Sequence, residues 1–418
     1  MAPITTIADV RFAAVTAAQE VTITDIHTHL FPPSHGDMLL WGVDELLTYH
    51  YLISELFTLA PADLTYEKFW KLPKSRQADI VWEQVFVRQS PISEASRGVL
   101  TCLNALGLDV AGRDLKSIRS WFAGRKIEDY LPQVLDLAGL DYAVMTNNPF
   151  VPQEVDCWDR KLPIPQRLKT ALRIDTMLTN WPAAAGAMRA AGYDVSQAPD
   201  AQSFTAARKF LADWSRRIGP LYMAASLGAD FAYPSADVST KVIDDVVAPV
   251  ARELGLPVAL MIGVRRGVNP DLHEGGDGVG VADVAAVLNL CQKHTCVKFL
   301  VTMLSRVNQH ELCVTARKFG RNLHLFGCWW FCNNPSIIKE LTQMRLELLG
   351  TAVTLQHSDA RVLDQLIYKW KHTRGIVGDV LAQKYADLFV AGWRPTTEEI
   401  RRDARMLLGG RFEEFCKR

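Results

Sequence analysis

A (β/α)8 barrel of the TIM type is the α/β fold this sequence predicts, with an open doubly wound sheet as the alternative. Three observations point there. Eight short β-like runs recur along the chain, helix-period segments such as 283–294 and 335–349 separate most of them, and several runs are nearly continuous in apolar residues. Alternating strands and helices favour parallel pairing, and apolar runs are expected where both faces of a sheet are covered. The length of 418 residues is compatible, since barrels with insertions run past about 400.

The first run, 21–29, alternates Val, Ile and Thr with polar residues and ends at Phe31-Pro32-Pro33. The second, 141–146, is closed by Asn147-Asn148-Pro149. Runs at 170–174, 221–225 and 257–262 follow, then 296–302, 322–326 and 351–356. Residues 38–135 break this rhythm. They are rich in Leu, Trp, Lys, Glu and Arg at helical spacing, as in 44–59 and 75–89, with Pro61, Pro73, Pro91 and Pro132 as punctuation. The chain therefore divides into an N-terminal segment with strand one (1–34), a helical insertion over the barrel mouth (35–135), and the remaining barrel with C-terminal helices (136–418). Arg401, Arg402, Arg405, Glu413 and Glu414 mark the tail as a solvated closing helix.

Composition narrows the function classes. Apolar residues make up 49% and charged residues 22%, and Lys plus Arg equals Asp plus Glu at 46 each. Such a balance supports a large core and offers no net field for nucleic acid or an anionic membrane. The longest clean apolar stretch, 257–264, falls far short of the roughly 20 residues of a membrane-spanning helix. Asp9, Arg11 and Glu20 interrupt the N-terminus, which lacks the ordered regions of a signal peptide. None of the eight cysteines forms a Cys-x-x-Cys pair, so buried thiols are expected. The reading is a cytoplasmic protein, expected to be a homo-oligomer, with a small molecule as its partner.

Asp25, His27 and His29 alternate at the end of the first run, and period two sends them to one face, the barrel interior. Two imidazoles at the C-terminal mouth suit one divalent cation. The eighth run continues into His357, Asp359 and Arg361, again on one face, and barrel closure would set it beside strand one. Asp359 would complete the metal site or take a proton, and Arg361 would offer a planar fork to a carboxylate. Such a set of two histidines and a carboxylate accepts zinc, manganese, iron or cobalt, with zinc the first expectation.

His27-Thr-His29, Tyr49-His50-Tyr51, Gly327-Cys-Trp-Trp-Phe331 and Ser358-Asp-Ala-Arg361 together resemble the uronate isomerase (glucuronate isomerase) family, a branch of the metal-dependent amidohydrolase superfamily. The resemblance spans most of the chain. It implies metal ligands at His27 and His29 with Asp359 as ligand or base, and a substrate-facing step at His50 and Tyr51. It also implies substrate contacts from Arg173, Arg266, Arg361, Trp329 and Trp330. Two positions depart from the family pattern. Ala225-Ser-Leu-Gly228 stands where the family usually shows Ser-Asp-His-Gly, and Met261-Ile-Gly263 where it shows His-Ile-Gly. His357 is a candidate to compensate for the missing histidine.

The implied reaction is aldose–ketose isomerisation of a uronic acid. The alternatives are a metal-dependent hydrolase or decarboxylase on the same barrel, and a non-catalytic barrel that binds sugar acids. Other signals rank lower. The glycine-rich run from Glu274 to Gly280 suggests a phosphate cradle, but it lies too far past its strand, and a flexible loop over the mouth is the better reading. Cys328 and Cys332 read as part of a buried aromatic wall. Arg265-Arg266 has no basic or aromatic surroundings to make a nucleic-acid stripe. His35, His273, His294, His310, His324 and His372 read as surface or core.

Overall fold

The computed structural model describes residues 4–417. Its centre is a curled, mainly parallel sheet of β1 (Ile23–Thr28), β2 (Leu140–Asn147), β3 (Leu168–Arg173), β4 (Met223–Gly228), β5 (Val258–Arg265), β7 (Phe299–Met303) and β8 (Leu323–Leu325), in that spatial order. Sequential parallel order follows from βαβ units, each crossing back over a helix. A two-residue strand, β6 (Gly278–Val279), pairs antiparallel with the end of β5. This places a strand where the sequence suggested a free glycine-rich loop.

The eighth run does not form a ladder. It makes one parallel bridge, Phe326 with Thr354, and one pair of bonds to β1: Asp359 N–H to His27 O at 3.1 Å and His29 N–H to Ala360 O at 2.8 Å. These few bonds close the ring and set Asp359 beside the histidines. Buried Arg345, on the helix Pro335–Leu349, braces the last run against β8 by donating to Gly327 O at 2.7 Å and Leu355 O at 3.4 Å.

Inside the barrel Ile26, Val144, Ala171, Ala224, Ala259, Met261 and Leu300 form a layered apolar core, distinct from the larger core between sheet and helices. Phe412 and Phe415 of the helix Arg411–Lys417 join that inner core, so the tail plugs the barrel floor and is not merely solvated. Phe412 packs edge-on against Tyr222 at 5.8 Å.

Short helices occupy the insertion between β1 and β2, among them His50–Leu59, Lys74–Val81 and Glu94–Ala105. Pro132 does not punctuate: it lies within the helix Ile127–Ala138, at an exposed position. Buried Asp364 ties the insertion to the chain beyond the last stave, accepting from Gly42 N at 2.8 Å and from the Tyr130 hydroxyl. The eight cysteines are all free, and Cys296 alone is exposed.

Gly327, at the exit of β8, has φ +67°, and a Cβ there would lie 1.6 Å from His357 Nδ1. Gly327→Ala is expected to cost about 2–4 kcal/mol of stability through backbone strain and displacement of His357. Urea denaturation measures this, and an unchanged midpoint would refute the packing argument.

Candidate active site

The C-terminal end of β1 carries both histidines. His27 Nε2 lies 3.7 Å and His29 Nε2 3.2 Å from Asp359 Oδ1, and all three atoms fall within 4.8 Å of one another. The imidazole rings meet edge-on at 88°.

Two hydroxyl groups fix the tautomers. The Tyr222 hydroxyl donates to Ile26 O at 2.6 Å, so toward His27 Nδ1, 3.1 Å away, it can only accept. Thr146 of β2 repeats the device, donating to Thr28 O at 3.0 Å and accepting from His29 Nδ1 at 3.1 Å. Each imidazole therefore keeps its proton on Nδ1 and turns the Nε2 lone pair toward Asp359. Burial pushes both imidazoles below their ordinary range, His27 furthest. Burial pushes Asp359 up, but a positive charge among the histidines outweighs that and holds the carboxyl well below its ordinary range.

Three acceptors thus converge with no hydrogen between them. His27 Nε2 and Asp359 Oδ1 have no hydrogen-bond partner, though both are buried. Two neutral imidazoles and a carboxylate are the donor set of a divalent metal, and this group could hold one.

Above them opens a cavity with about 570 Å³ of empty space, part of it open to solvent. His29, His50, Tyr51, Arg173, Arg266, Trp329, Trp330, Asp359 and Arg361 line it, while His27 lies beneath. Tyr49, Ser226, Glu274 and Asp277, to which the sequence assigned no site role, line it as well. His50 and Tyr51 open the helix His50–Leu59, their rings edge-on at 4.6 Å. His50 Nε2, the Tyr51 hydroxyl and Trp330 Nε1 are buried without a partner. Burial, aided by Arg361, pushes His50 down to about 3, and burial pushes Tyr51 well up. Near neutral pH the imidazole is therefore uncharged and the phenol keeps its proton.

Each arginine of the cavity already faces a carboxylate. Arg173 makes two 2.9 Å bonds to Asp175, Arg266 pairs with Asp277, and Arg361 Nη1 lies 3.0 Å from Glu274 Oε2.

One expectation fails. Asp25 does not share the cavity with the histidines: the β1–β2 register slips between Asp25 and Thr28, and this irregularity breaks the strict alternation. Its carboxylate accepts from Ser358 N at 3.1 Å and from Trp370 Nε1 at 2.8 Å, locking β1 to the last stave and to the helix Gln365–Val390. His357 is wholly buried against His27 and Phe326 and is not one of the three residues whose ligand atoms converge. Tyr222 and Thr146 could not be found from spacing, because their bonds join segments more than a hundred positions apart. Glu274 and Asp277 had a signal, being the acids of the glycine-rich run.

Thr146→Val and Tyr222→Phe are each expected to lower divalent-metal affinity about 10–100-fold, whereas Thr146→Ser should stay near the parent. Competition against a chelator measures this. Unchanged affinity in both variants would reject the tautomer lock.

No protein-family model and no curated protein matches the chain. Solved structures do. A uronate isomerase from Bacillus halodurans C-125 shares 46% identity over 99% of this chain and 98% of its own, with a TM-score of 0.96. Uronate isomerase from Thermotoga maritima, at 14% identity over 97% of each chain, superposes with a TM-score of 0.77. Glucuronate isomerase from Caulobacter crescentus, at 15% identity, covers 98% of this chain and 94% of its own with a TM-score of 0.75. These two share the fold, and the identity with the first, running through almost the whole of both chains, places this protein in the uronate isomerase family.

Proposed function

We propose that this chain is a metal-dependent isomerase of uronic acids, of the type that converts D-glucuronate to D-fructuronate or D-galacturonate to D-tagaturonate. The observation that carries the reading is the 46% identity with a uronate isomerase along nearly the full chain. On this reading it works in the cytoplasm as a homo-oligomer, with zinc held by His27, His29 and Asp359.

Isomerisation moves a proton between C2 and C1 through an enediol. The C2–H bond breaks as O1 gains a proton, then a C1–H bond forms as the O2 hydroxyl proton leaves. The ion, when bound, supplies a positive centre that binds substrate oxygens and favours their ionised forms. Asp359, an ionised carboxylate at the cavity floor, takes the proton of the anomeric hydroxyl as the sugar ring opens. Neutral His50 offers an acceptor beside the carbon that loses its proton. Tyr51, still protonated, donates to the oxygen on which charge develops. Arg361, Arg173 and Arg266 face the substrate's carboxylate end, and Trp329 with Trp330 walls the chamber and keeps water from the enediol.

Purified protein incubated with D-glucuronate and D-galacturonate is expected to form ketose, to stop when the metal is chelated, and to recover when divalent metal is restored. Replacing His27 and His29 together by alanine should lower turnover at least about 10³-fold with the fold intact by circular dichroism. Retained turnover would sink the metal role. Bound metal with neither uronate converted would move the reaction to hydrolysis or decarboxylation.

A further inference from the structure

The glycine-rich run from Glu274 to Gly280 has a role that the reaction above does not use. Its backbone is pinned. Ser54 Oγ donates to Gly275 O at 3.3 Å, Trp70 Nε1 donates to Asp271 O at 2.8 Å, and His273 stacks on Trp70 at 4.2 Å. Gly276 packs so closely on Asn269 that a Cβ would meet its carbonyl oxygen at 1.8 Å. A mobile lid is not what this anchoring describes. The side chain of Glu274 is different: 67% of it is exposed, and Oε2 lies 3.0 Å from Arg361 Nη1 and 3.8 Å from His50 Nδ1.

The other two carboxylates that face the site arginines are fixed in place. Asp175, with 14% of its side chain exposed, is held bidentate by Arg173 and also accepts from Ser226 N at 2.8 Å. Asp277, with 12% exposed, accepts from Gly267 N at 2.9 Å besides Arg266. Glu274 alone among the three has no backbone donor and can swing into water by changing rotamer. The local charge also matters. Three guanidinium groups are matched by three carboxylates, and Asp359 stands as a fourth beside them.

We propose that Glu274 is a built-in counter-ion, displaced from Arg361 by the carboxylate of an incoming sugar acid, and so determines which ligands the pocket admits. The proposal rests on the uronate reading of the same site and gives that reading a selection step. A ligand carboxylate can replace Glu274 on Arg361 like for like, because guanidinium–carboxylate bonds are charge-assisted on both sides. The hydroxyls of a neutral sugar cannot, and such a ligand leaves the pair closed. Exchange of this kind favours anions over neutral aldoses and at the same time limits how tightly the anion binds.

The test uses metal-loaded protein and D-gluconate, which carries the carboxylate but has no carbonyl to isomerise, with D-glucitol as its neutral counterpart. Binding is read by calorimetry. Glu274→Gln should tighten D-gluconate binding about three- to tenfold, leave D-glucitol within about twofold, and lower the KM for the uronate by a factor similar to the gluconate gain. Glu274→Asp, which keeps the charge but shortens its reach to Arg361, should fall between the two. Gluconate affinity that is unchanged or weaker in Glu274→Gln overturns the proposal, as does failure of both proteins to bind gluconate. Tighter gluconate binding without ketose from either uronate would keep the counter-ion role and refute the isomerase reading. Ketose formation with unchanged gluconate affinity would do the reverse.

Discussion

Three lone pairs, on His27 Nε2, His29 Nε2 and Asp359 Oδ1, face one another, and those of His27 and Asp359 are buried without a hydrogen-bond partner. A buried carboxylate without a full complement of donors costs several kcal/mol, and unpaired imidazole acceptors add to it. An arrangement so unfavourable on its own must be imposed by its surroundings. The Tyr222 and Thr146 hydroxyls impose it from below by spending their own protons on the carbonyls of β1, which leaves them only able to accept. The backbone imposes it from the side, where the Asp359 amide is bonded to His27 O and Asp359 itself adopts φ +53°, a left-handed conformation that costs a residue with a side chain about 1–3 kcal/mol.

The rest of the cavity is balanced where the floor is not. Its guanidinium groups are paired, its imidazole at His50 is neutral, and its phenol at Tyr51 is protonated. The unmet demand for positive charge is thus concentrated at one point, the metal-ligand triad. Arginines paired in this way also keep their orientation before a ligand arrives, so less ordering is left to be done on binding.

Much of this was legible in the sequence because it is periodic. The parallel strands announce themselves as apolar runs between helical segments, and His27-Thr-His29 sits at a strand end. What escaped is what periodicity does not encode. A slip in the β1–β2 register turned Asp25 from a cavity candidate into an anchor for Trp370. The last stave carries few backbone bonds, and its apolar alternation could not disclose that. Tyr222 lies almost two hundred positions from His27, and only folding makes them neighbours. Glu274 and Asp277 were visible as acids among glycines, but the arginines they would meet come from other segments. The tail read as solvated because its charges are conspicuous, whereas Phe412 and Phe415 between them fill the barrel floor.

The sparse closure of the ring has a mechanical consequence. The strands from β1 round to β8 are stitched by ladders, but the last stave meets β8 through one bridge and β1 through a pair of backbone bonds and a few side-chain braces. That seam runs directly under the active site, with two imidazoles on one lip and the carboxylate on the other. A cation taken by all three spans the seam like a rivet. Its binding energy would then serve the protein twice, as chemistry in the cavity and as tensile strength in the wall, so that a protein charged with metal is also one whose barrel is shut.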